Sequence, residues 1–274
     1  MVLGVARDNL SGPPLSTAAY DPAIDRWRSL AAPPAEVATS KMTPVMAAWT
    51  GSQVALYGVA YGEPGKATVA KAALLDPARD QWTVVPGIDD ATAVGRATVA
   101  GGRLAVLGLS PGPGGPEPRL FLYDAAGRKW RASPPAPVAI PSYPQVPPFW
   151  TGRELVMTPT RSYRDIPSVA YDPATDRWRT VDAPIVADVP FGQRANALDD
   201  GRVVAQVDNP NGPLGLYDAG RDAWAGSGNP GQSSSGPVVV STGREVIVWG
   251  MVQEGGYVRP DQPSSAWIWT PVET

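Results

Sequence analysis

Two absences limit the chemistry that this 274-residue chain can perform, since its sequence contains no histidine and no cysteine. Nucleophiles of the Ser-His-Asp and Cys-His type, zinc sites with nitrogen and sulphur ligands, and disulfides are therefore excluded. Acid-base chemistry is left to carboxylates, tyrosine, lysine and arginine. The carboxylates that a sugar-processing enzyme could use include Glu63, Asp89, Asp90, Asp165 and Glu254, but their spacing selects no pair. No catalytic residue, cofactor or metal site is predicted, and an oxygen-ligated calcium ion stays open without a motif.

Two segments concentrate side chains that are suited to holding an acidic or polar ligand. Guanidinium, phenol and carboxylate groups stand close together in each, and arginine and tyrosine are frequent anchors in binding sites. The candidate ligand-binding residues in these segments are Arg161, Tyr163, Arg164, Asp165, Glu254, Tyr257 and Arg259. A solvated polar loop is the competing interpretation of both segments.

An aromatic block that recurs along the chain indicates which elements position these groups. Tyr20-Asp21-Pro22 precedes Trp27, and Tyr171-Asp172-Pro173 precedes Trp178 at the same spacing. Weaker copies of the block lead to Trp82, Trp130 and Trp224. The five tryptophans lie 55, 48, 48 and 46 residues apart, which is a spacing typical of repeat architectures.

Between the aromatic blocks, a turn that contains glycine precedes a short apolar run, as at Thr151-Gly152 and Thr242-Gly243. Short apolar runs bounded by Gly, Pro or Asp indicate buried strands, and the Asp-Pro pair predicts a tight reversal before the tryptophan. Further strands are predicted over 45–49, 97–100, 195–198 and 238–241. Each repeat therefore contains four strands, and no segment has a helical period.

A four-stranded repeat of this length indicates a blade of a β-propeller. The Tyr-Asp-Pro block, with a tryptophan seven residues after the tyrosine, resembles the kelch repeat, and its copies cover nearly the whole chain. The predicted fold is all-β, a kelch-type β-propeller with six blades of four antiparallel strands. The six repeats of this single domain span residues 1–31, 44–86, 95–133, 146–181, 193–226 and 236–274.

The first and last blades are predicted to be incomplete. Val2-Leu3-Gly4-Val5 aligns with residues 106–109, because Gly4 stands 16 residues before Tyr20 and Gly108 stands 15 before Tyr123. The chain is thus expected to begin inside a second strand and to stop after a third strand at residues 267–271. The alternative is a fragment of a longer ring, such as one with seven blades.

The strand order predicts that all long and varied loops lie on one face of the propeller, among them residues 109–119 and 251–264. Binding residues concentrate on variable loops over a rigid scaffold, so this face is the candidate surface. Arg96 and Arg194 stand six and seven residues before the glycines of their turns, Gly102 and Gly201. They are placed near the start of an innermost strand, where they could bind a carboxylate at the channel mouth or form a salt bridge between blades.

The repeated aromatic residues could stack on sugars, but their period favours a packing role between blades. The residues assigned to this role are Tyr20, Trp27, Trp82, Tyr123, Trp130, Tyr171, Trp178, Tyr217 and Trp224. Asp21, Asp172 and Asp218 are interpreted as turn caps. The Arg-Glu pairs at 153–154 and 244–245 are interpreted as solvated strand edges.

The near-neutral charge of −3 gives no field for binding nucleic acid, and no apolar run is long enough for a membrane span. The chain has no signal peptide pattern, whereas the resemblance implies a secreted or cell-envelope protein. Kelch propellers with a copper-radical centre depend on histidine and cysteine, so that activity is excluded here.

The resemblance implies a non-enzymatic propeller that presents its long-loop face to a protein or glycan, as a monomer or as part of a larger chain. The alternative is a carbohydrate-active enzyme, related to sialate epimerases or glycoside-processing enzymes, with carboxylates and arginines at the channel mouth. A third interpretation is a purely structural repeat domain.

Overall fold

A computed structural model shows six antiparallel sheets in the part of the chain that it describes. The described residues are 2–6, 16–21, 23–37, 42–60, 69–138, 148–158, 166–181, 195–198, 200–206, 214–225, 234–254, 257–258 and 265–270. The sheets are numbered here in chain order, and in sheets 1 to 5 sequential strands pair as a meander.

Sheet 1 has three strands, and sheets 2 and 3 have four each. Sheet 1 contains β1 (Val2–Ala6), β2 (Ser16–Asp21) and β3 (Arg26–Ser29). Sheet 2 contains β4 (Met42–Trp49), β5 (Val54–Ala60), β6 (Val69–Asp76) and β7 (Gln81–Val85). Sheet 3 contains β8 (Ala93–Ala100), β9 (Arg103–Ser110), β10 (Glu117–Asp124) and β11 (Lys129–Ala132).

Sheets 4 and 5 repeat the four-stranded pattern, and sheet 6 departs from it. Sheet 4 contains β12 (Phe149–Trp150), β13 (Leu155–Met157), β14 (Ser168–Asp172) and β15 (Arg177–Val181). Sheet 5 contains β16 (Ala195–Ala197), β17 (Arg202–Gln206), β18 (Leu214–Asp218) and β19 (Ala223–Ala225). Sheet 6 contains β20 (Ser234–Ser241), β21 (Val246–Glu254), β22 (Tyr257–Val258) and β23 (Ser265–Trp269). Both β22 and β23 pair with β21 in sheet 6.

The first strands of successive sheets lie beside one another. Strand β4 contacts β8, β8 contacts β12, β12 contacts β16, and β16 contacts β20. Sheets 2 to 6 therefore extend outward from a shared row of inner strands, which is the radial arrangement of propeller blades.

The hydrophobic core lies between successive sheets. Leu75 of sheet 2 packs with Ala19 of sheet 1, and Tyr57 of sheet 2 packs in one cluster with Phe121 of sheet 3. Tyr171 of sheet 4 and Leu107 of sheet 3 share a further cluster. Because a middle sheet is covered on both faces, its central strands are apolar throughout, and β9 is buried from residue 104 to residue 110.

Tryptophan side chains in sheets 2, 3 and 4 form a hydrogen bond to the chain that follows the preceding sheet. The indole N–H of Trp82 donates to the carbonyl of Ala31, that of Trp130 to Pro86, and that of Trp178 to Pro134, over 2.8, 2.8 and 2.9 Å. Each acceptor stands four residues after the repeat tryptophan of the preceding sheet. The repeat period therefore corresponds to a repeated hydrogen bond between sheets.

Trp27, the tryptophan of sheet 1, is 61 % exposed, and its ring lies 5.1 Å from that of Tyr20. The prediction that Trp27 fills a space between blades is therefore wrong. The physical reason is that no sheet precedes sheet 1 in the described chain, so no carbonyl there accepts its indole N–H.

The strand pairing also corrects the alignment of the first strand. Gly4 lies opposite Ala18, whereas Ala6 lies opposite Ser16, four residues before Tyr20. Gly108 lies opposite Arg119, four residues before Tyr123, so Ala6 occupies the position of Gly108. The spacing from glycine to tyrosine gave the wrong alignment, because it includes a loop of variable length. The error of two residues leaves every side chain on its predicted face.

Candidate binding surface

Each sheet has two different ends. The turn end holds the connections from first to second and from third to fourth strand, and the loop end holds all the others. At the turn end, the hydroxyls of Thr50, Thr151 and Thr242 each accept the backbone N–H three residues later, over 3.1, 2.9 and 3.1 Å. These turns in three sheets thus bind their own polar groups in the same way.

The second kind of turn at this end is held by aspartates and tyrosines. Asp172 accepts the N–H of Ala174 over 2.8 Å, and Asp21 and Asp218 cap their turns in the same way. The Tyr171 hydroxyl donates to Asp176 over 2.6 Å. Burial and then this hydrogen bond raise the pKa of Tyr171, while the same bond lowers the pKa of Asp176. The bond therefore favours a neutral tyrosine and a charged aspartate.

The residue two before each repeat tryptophan has left-handed backbone geometry. These residues are Asp25, Asp80, Arg128, Asp176 and Asp222, with φ between 51° and 58°. Aspartate tolerates this conformation better than most side chains. Three of these aspartates also accept the tyrosine hydroxyl of their own repeat, at Asp25, Asp176 and Asp222. The aspartate before the Arg-Trp or Ala-Trp pair is thus part of the turn.

Glu154 contradicts its sequence interpretation as a solvated strand edge. It is only 7 % exposed, and its two carboxylate oxygens accept from Arg179 over 2.9 and 2.7 Å. This bond is the main cause that raises the pKa of Arg179, which also contacts Asp222 of sheet 5 at 3.2 Å. The neighbouring Arg153 is 78 % exposed in its side chain. The Arg-Glu pair thus divides into one buried and one solvated member.

At the loop end, the inner strands are irregular. The pairing of β8 with β9 shifts between Val94 and Ala97. Strands β4 and β20 show similar shifts, between Met42 and Val45 and between Ser235 and Val238. Such β-bulges change the direction of a side chain and are frequent at barrel rims and next to functional sites.

Arg96 lies within the bulge of β8, as a half-buried side chain next to Gly95. The buried hydroxyl of Tyr57 in sheet 2 donates to the Gly95 carbonyl over 2.6 Å. The backbone at the bulge is therefore held by a neighbouring sheet. Strand β8 is the innermost strand of sheet 3. Arg96 therefore lies in the row of inner strands, three residues after Ala93, where β8 begins at the loop end.

Among the residues that the structure describes, one pair of the predicted site residues comes together. Glu254 and Tyr257 lie directly opposite each other where β21 pairs with β22. The prediction of a loop over 251–264 is therefore wrong in part, since β21 continues to Glu254 and turns back as a hairpin. Outside the described residues lie the remaining candidates Arg161, Tyr163, Arg164, Asp165, Arg194 and Arg259.

Two residues that position other groups were not predicted from the sequence: Tyr57, which holds the bulge beside Arg96, and Arg179, which binds Glu154. Tyr57 sits in an apolar run that signals only a strand, so its hydroxyl bond to sheet 3 leaves no local pattern. Arg179 and its partner Glu154 are 25 residues apart. The glycine before Arg96 was the one available signal, because an isolated glycine inside a strand marks a bulge or a close approach.

The described residues contain no group of three or more acidic side chains placed to hold a metal ion. Within the same part of the chain, there is no helix with the length and hydropathy to cross a bilayer.

Comparisons with known proteins identify the fold. No family model matches the sequence, and no curated protein matches it. Among solved structures, YjhT is similar over 93 % of this chain and 91 % of its own, with 12 % identity and a TM-score of 0.52. The β-propeller domain of the Trilobed protease from Pyrococcus furiosus, which has an open velcro topology, is similar over 97 % of this chain and 77 % of its own. Its identity is 11 % and its TM-score 0.53.

TolB from Acinetobacter baumannii has 13 % identity and a TM-score of 0.48 over 91 % of this chain, which spans 60 % of the TolB chain. The prediction of an all-β propeller fold is confirmed by the meander sheets together with YjhT and the protease domain. At these identities the similarity concerns the fold alone.

Proposed function

We propose that this chain is a non-enzymatic binding propeller of the kelch type, which presents the loop ends of its sheets to a protein or glycan that carries a carboxylate. The observation that supports the proposal most directly is the bulge at Gly95 and Arg96, held from sheet 2 by the Tyr57 hydroxyl. A fixed backbone needs no ordering of its own when the guanidinium that it carries binds an anion, and the planar fork of the guanidinium matches a carboxylate.

The contrast with the turn end supports the choice of face. At the turn end, hydroxyls and carboxylates already bind backbone N–H groups or arginines of the same chain. The loop end instead has bulged inner strands, which carry different residues in each sheet.

The test is a binding measurement on carboxylated and neutral glycans. An array that contains sialic acid, glucuronic acid and their neutral counterparts identifies a probe, which is then titrated against the protein by calorimetry. We expect the Arg96→Gln variant to bind that probe at least about tenfold more weakly, since a charge-assisted pair contributes roughly 1.5–3 kcal/mol.

The matched control is Arg103→Gln, which removes the same charge from the exposed start of β9 at the opposite end of sheet 3. Its affinity should stay within about twofold of the parent protein. Equal losses in both variants would contradict the proposal, as would an array without any acidic ligand combined with a protein pull-down that Arg96→Gln leaves unchanged. Chemical conversion of a bound sugar would contradict the non-enzymatic assignment and favour the carbohydrate-active alternative.

A second series of variants tests the segment that the sequence singled out. Replacing Arg161, Tyr163 and Arg164 together by Ala should weaken binding of the same probe if that segment forms part of the surface. Unchanged binding would remove the segment from the proposed site.

A further inference from the structure

Two side chains at the loop end of sheet 3 have buried polar atoms that are not hydrogen-bonded. Among the residues that the structure describes, the Ser110 hydroxyl and the Nε–H of Arg119 have no hydrogen-bond partner, although both atoms are shielded from solvent. Ser110 as a whole is only 5 % exposed. Buried polar groups are paired in most native structures, because an unmet buried donor costs free energy. These two groups therefore indicate a place that another polar group can fill.

The strand pairing places both side chains on one face of the sheet. Ser110, the last residue of β9, lies opposite Glu117, the first residue of β10. Arg119 follows two residues later and lies opposite Gly108, which has no side chain. Residues that are opposite each other, or two apart along a strand, share a face of a sheet. Ser110, Glu117 and Arg119 are therefore neighbours on this face.

One end of the Arg119 guanidinium is fixed by the backbone. Its Nη1 donates to the carbonyl of Ser133, which follows β11, over 2.9 Å. Ser133 is itself 1 % exposed, and its N–H donates to the carbonyl of Leu120 over 2.8 Å. The N–H of Leu120 donates to the Ser133 hydroxyl over 3.1 Å. The guanidinium therefore has a defined position between the third and fourth strands before any ligand is present.

Glu117 occupies another part of the same guanidinium. One of its carboxylate oxygens accepts from Nη2 of Arg119 over 2.9 Å, and the two side chains are 26 % and 25 % exposed. The Glu117 side chain also lies against Gly112 in the loop between β9 and β10, where a Cβ atom would overlap it. The carboxylate therefore fills a space that only a glycine leaves open.

The match between Glu117 and its surroundings is incomplete. An arginine binds a carboxylate most strongly through two parallel N–H donors, whereas Glu117 accepts from Nη2 and leaves Nε without a partner. The Ser110 hydroxyl, directly opposite, does not donate to Glu117 either. A partly exposed ion pair contributes little stability. A ligand carboxylate that accepts from Nε, Nη2 and the Ser110 hydroxyl can therefore replace Glu117 at a small cost.

Given the carboxylate-bearing ligand of the proposed function, on which this step rests, we propose that Arg119 and Ser110 form a second carboxylate-binding position at the loop end of sheet 3. Glu117 is the internal carboxylate that occupies this position until the ligand replaces it. The measured affinity is then reduced by the fraction of molecules in which Glu117 holds Arg119. Arg96 lies on β8 and Arg119 on β10, so each arginine can be tested by itself.

The probes are N-acetylneuraminate and glucuronate, with the methyl ester of the first and glucose as their neutral counterparts. Each is titrated into the ¹⁵N-labelled full chain while NMR follows the Nε–H signals of the arginines. The variants Arg119→Gln and Arg96→Gln assign the two signals of interest. We expect at least one acidic probe to shift the Arg119 signal saturably and neither neutral compound to do so, because only a carboxylate can replace Glu117.

The sign of the Glu117 effect distinguishes competition from other roles. Glu117→Gln should bind the acidic probe about threefold more tightly, because the internal competitor is weakened. A Glu117 that contacts the ligand or positions Arg119 would instead give weaker binding. The control Glu36→Gln makes the same charge change at an exposed residue between sheets 1 and 2 and should leave the affinity unchanged. Circular dichroism establishes that each variant is folded.

Ser110→Ala distinguishes a ligand contact from a structural role. The variant should bind the acidic probe about threefold more weakly, since one hydrogen bond to the ligand is lost. Its stability towards urea without ligand should stay equal or rise, because an unmet buried hydroxyl is removed. A structural hydroxyl would give the reverse pattern, with lower stability and unchanged affinity.

Three results would overturn the proposal. The first is an Arg119 signal that no acidic probe shifts, in the parent or in the Glu117→Gln protein. The second is equal or weaker binding by Glu117→Gln, and the third is the reverse pattern for Ser110→Ala. If the Arg96 signal shifts while that of Arg119 does not, the proposal for Arg119 fails alone. A shift of Arg119 without Arg96 would support it and contradict the role of Arg96 in the proposed function.

Discussion

The turn ends and the loop ends belong to the same strands, but the turn ends are regular and the loop ends differ from sheet to sheet. At the turn end, Thr50, Thr151 and Thr242 make the same hydrogen bond in three sheets, and Asp21, Asp172 and Asp218 cap equivalent turns. At the loop end, the inner strands of three sheets bulge at three different register positions. The regular end therefore contributes stability in every repeat, whereas the irregular end can place a different side chain in each.

The largest expected effect on this contrast comes from alkaline pH, which acts on the turn end. Burial raises the pKa of Tyr171 and Tyr217 in the folded protein. A raised folded-state pKa gives stability that is complete below the unfolded value near 10 and is lost as the pH rises above it. Each tyrosine should then contribute a loss of up to about 1.4 kcal/mol per pH unit. Urea unfolding between pH 8 and pH 11 measures this slope.

The control for the alkaline slope is the Tyr171→Phe variant, which cannot ionise at this position. Its stability at pH 8 should be lower because a hydrogen bond to Asp176 is lost, but its slope above pH 10 should be shallower. A slope that is identical in the variant and the parent would contradict the assignment of the effect to Tyr171.

The next largest effect is expected from breaking the buried pair of Glu154 and Arg179. Glu154→Gln leaves Arg179 with a partly buried charge and no carboxylate in sheet 4, so the free energy of unfolding should fall by about 2 kcal/mol. The adjacent Arg153→Gln removes only an exposed contact with Asp172 and should change it by less than about 0.5 kcal/mol. Chemical denaturation at pH 7 measures both, and comparable losses would disprove the division of this pair.

A smaller effect on stability, with a larger one on binding, is expected from Tyr57→Phe. The variant removes the hydroxyl bond to Gly95 and should cost about 1 kcal/mol of stability. Because the bulge is then no longer held from sheet 2, affinity for a carboxylated probe should also fall, although Tyr57 is buried and cannot touch the ligand. Parallel denaturation and calorimetry separate the two effects, and unchanged affinity would show that the bulge positions Arg96 without help from Tyr57.

The smallest effect should come from one turn hydroxyl. Thr151→Ala removes the acceptor for the N–H groups of Glu154 and Arg153 and should cost roughly 0.5–1 kcal/mol. The same change at the more exposed Thr242 should cost less, because water can replace the lost bond. Thermal unfolding of both variants checks this order, and a reversed order would argue against burial as the cause.

How far the sequence predicts this molecule depends on whether a feature repeats. Strands and turns were predictable, since Tyr, Asp, Pro and Trp recur at the spacing of the hairpins that they form. The burial of Glu154 could not be predicted, because it depends on Arg179, which lies across the sheet. The neighbouring Arg153 belongs to the same dipeptide and is solvated, so the dipeptide itself carries no signal. The predicted register of β1 was wrong for a related reason. It was derived from a spacing that crosses a loop of variable length, whereas the pairing follows from the distance of each residue to Tyr20 along the sheet.

The candidate site was less predictable than the fold. Arg96 was identified from its distance to Gly102, but neither its bulge nor the Tyr57 bond has a local pattern. The exposure of Trp27 was also missed, because the motif around Trp27 matches the motif around Trp178 and only the neighbouring sheet distinguishes them.

The direction of the tryptophan bonds has a consequence for biosynthesis. Trp82, Trp130 and Trp178 each donate to a carbonyl that precedes them by 51, 44 and 44 residues, so the acceptor always leaves the ribosome first. A nascent chain that has emerged as far as Val181 already contains both partners of all three bonds. Each new sheet can therefore dock onto one that has already formed. The repeat thus allows the sheets to fold one after another from the N-terminus, in the order of translation.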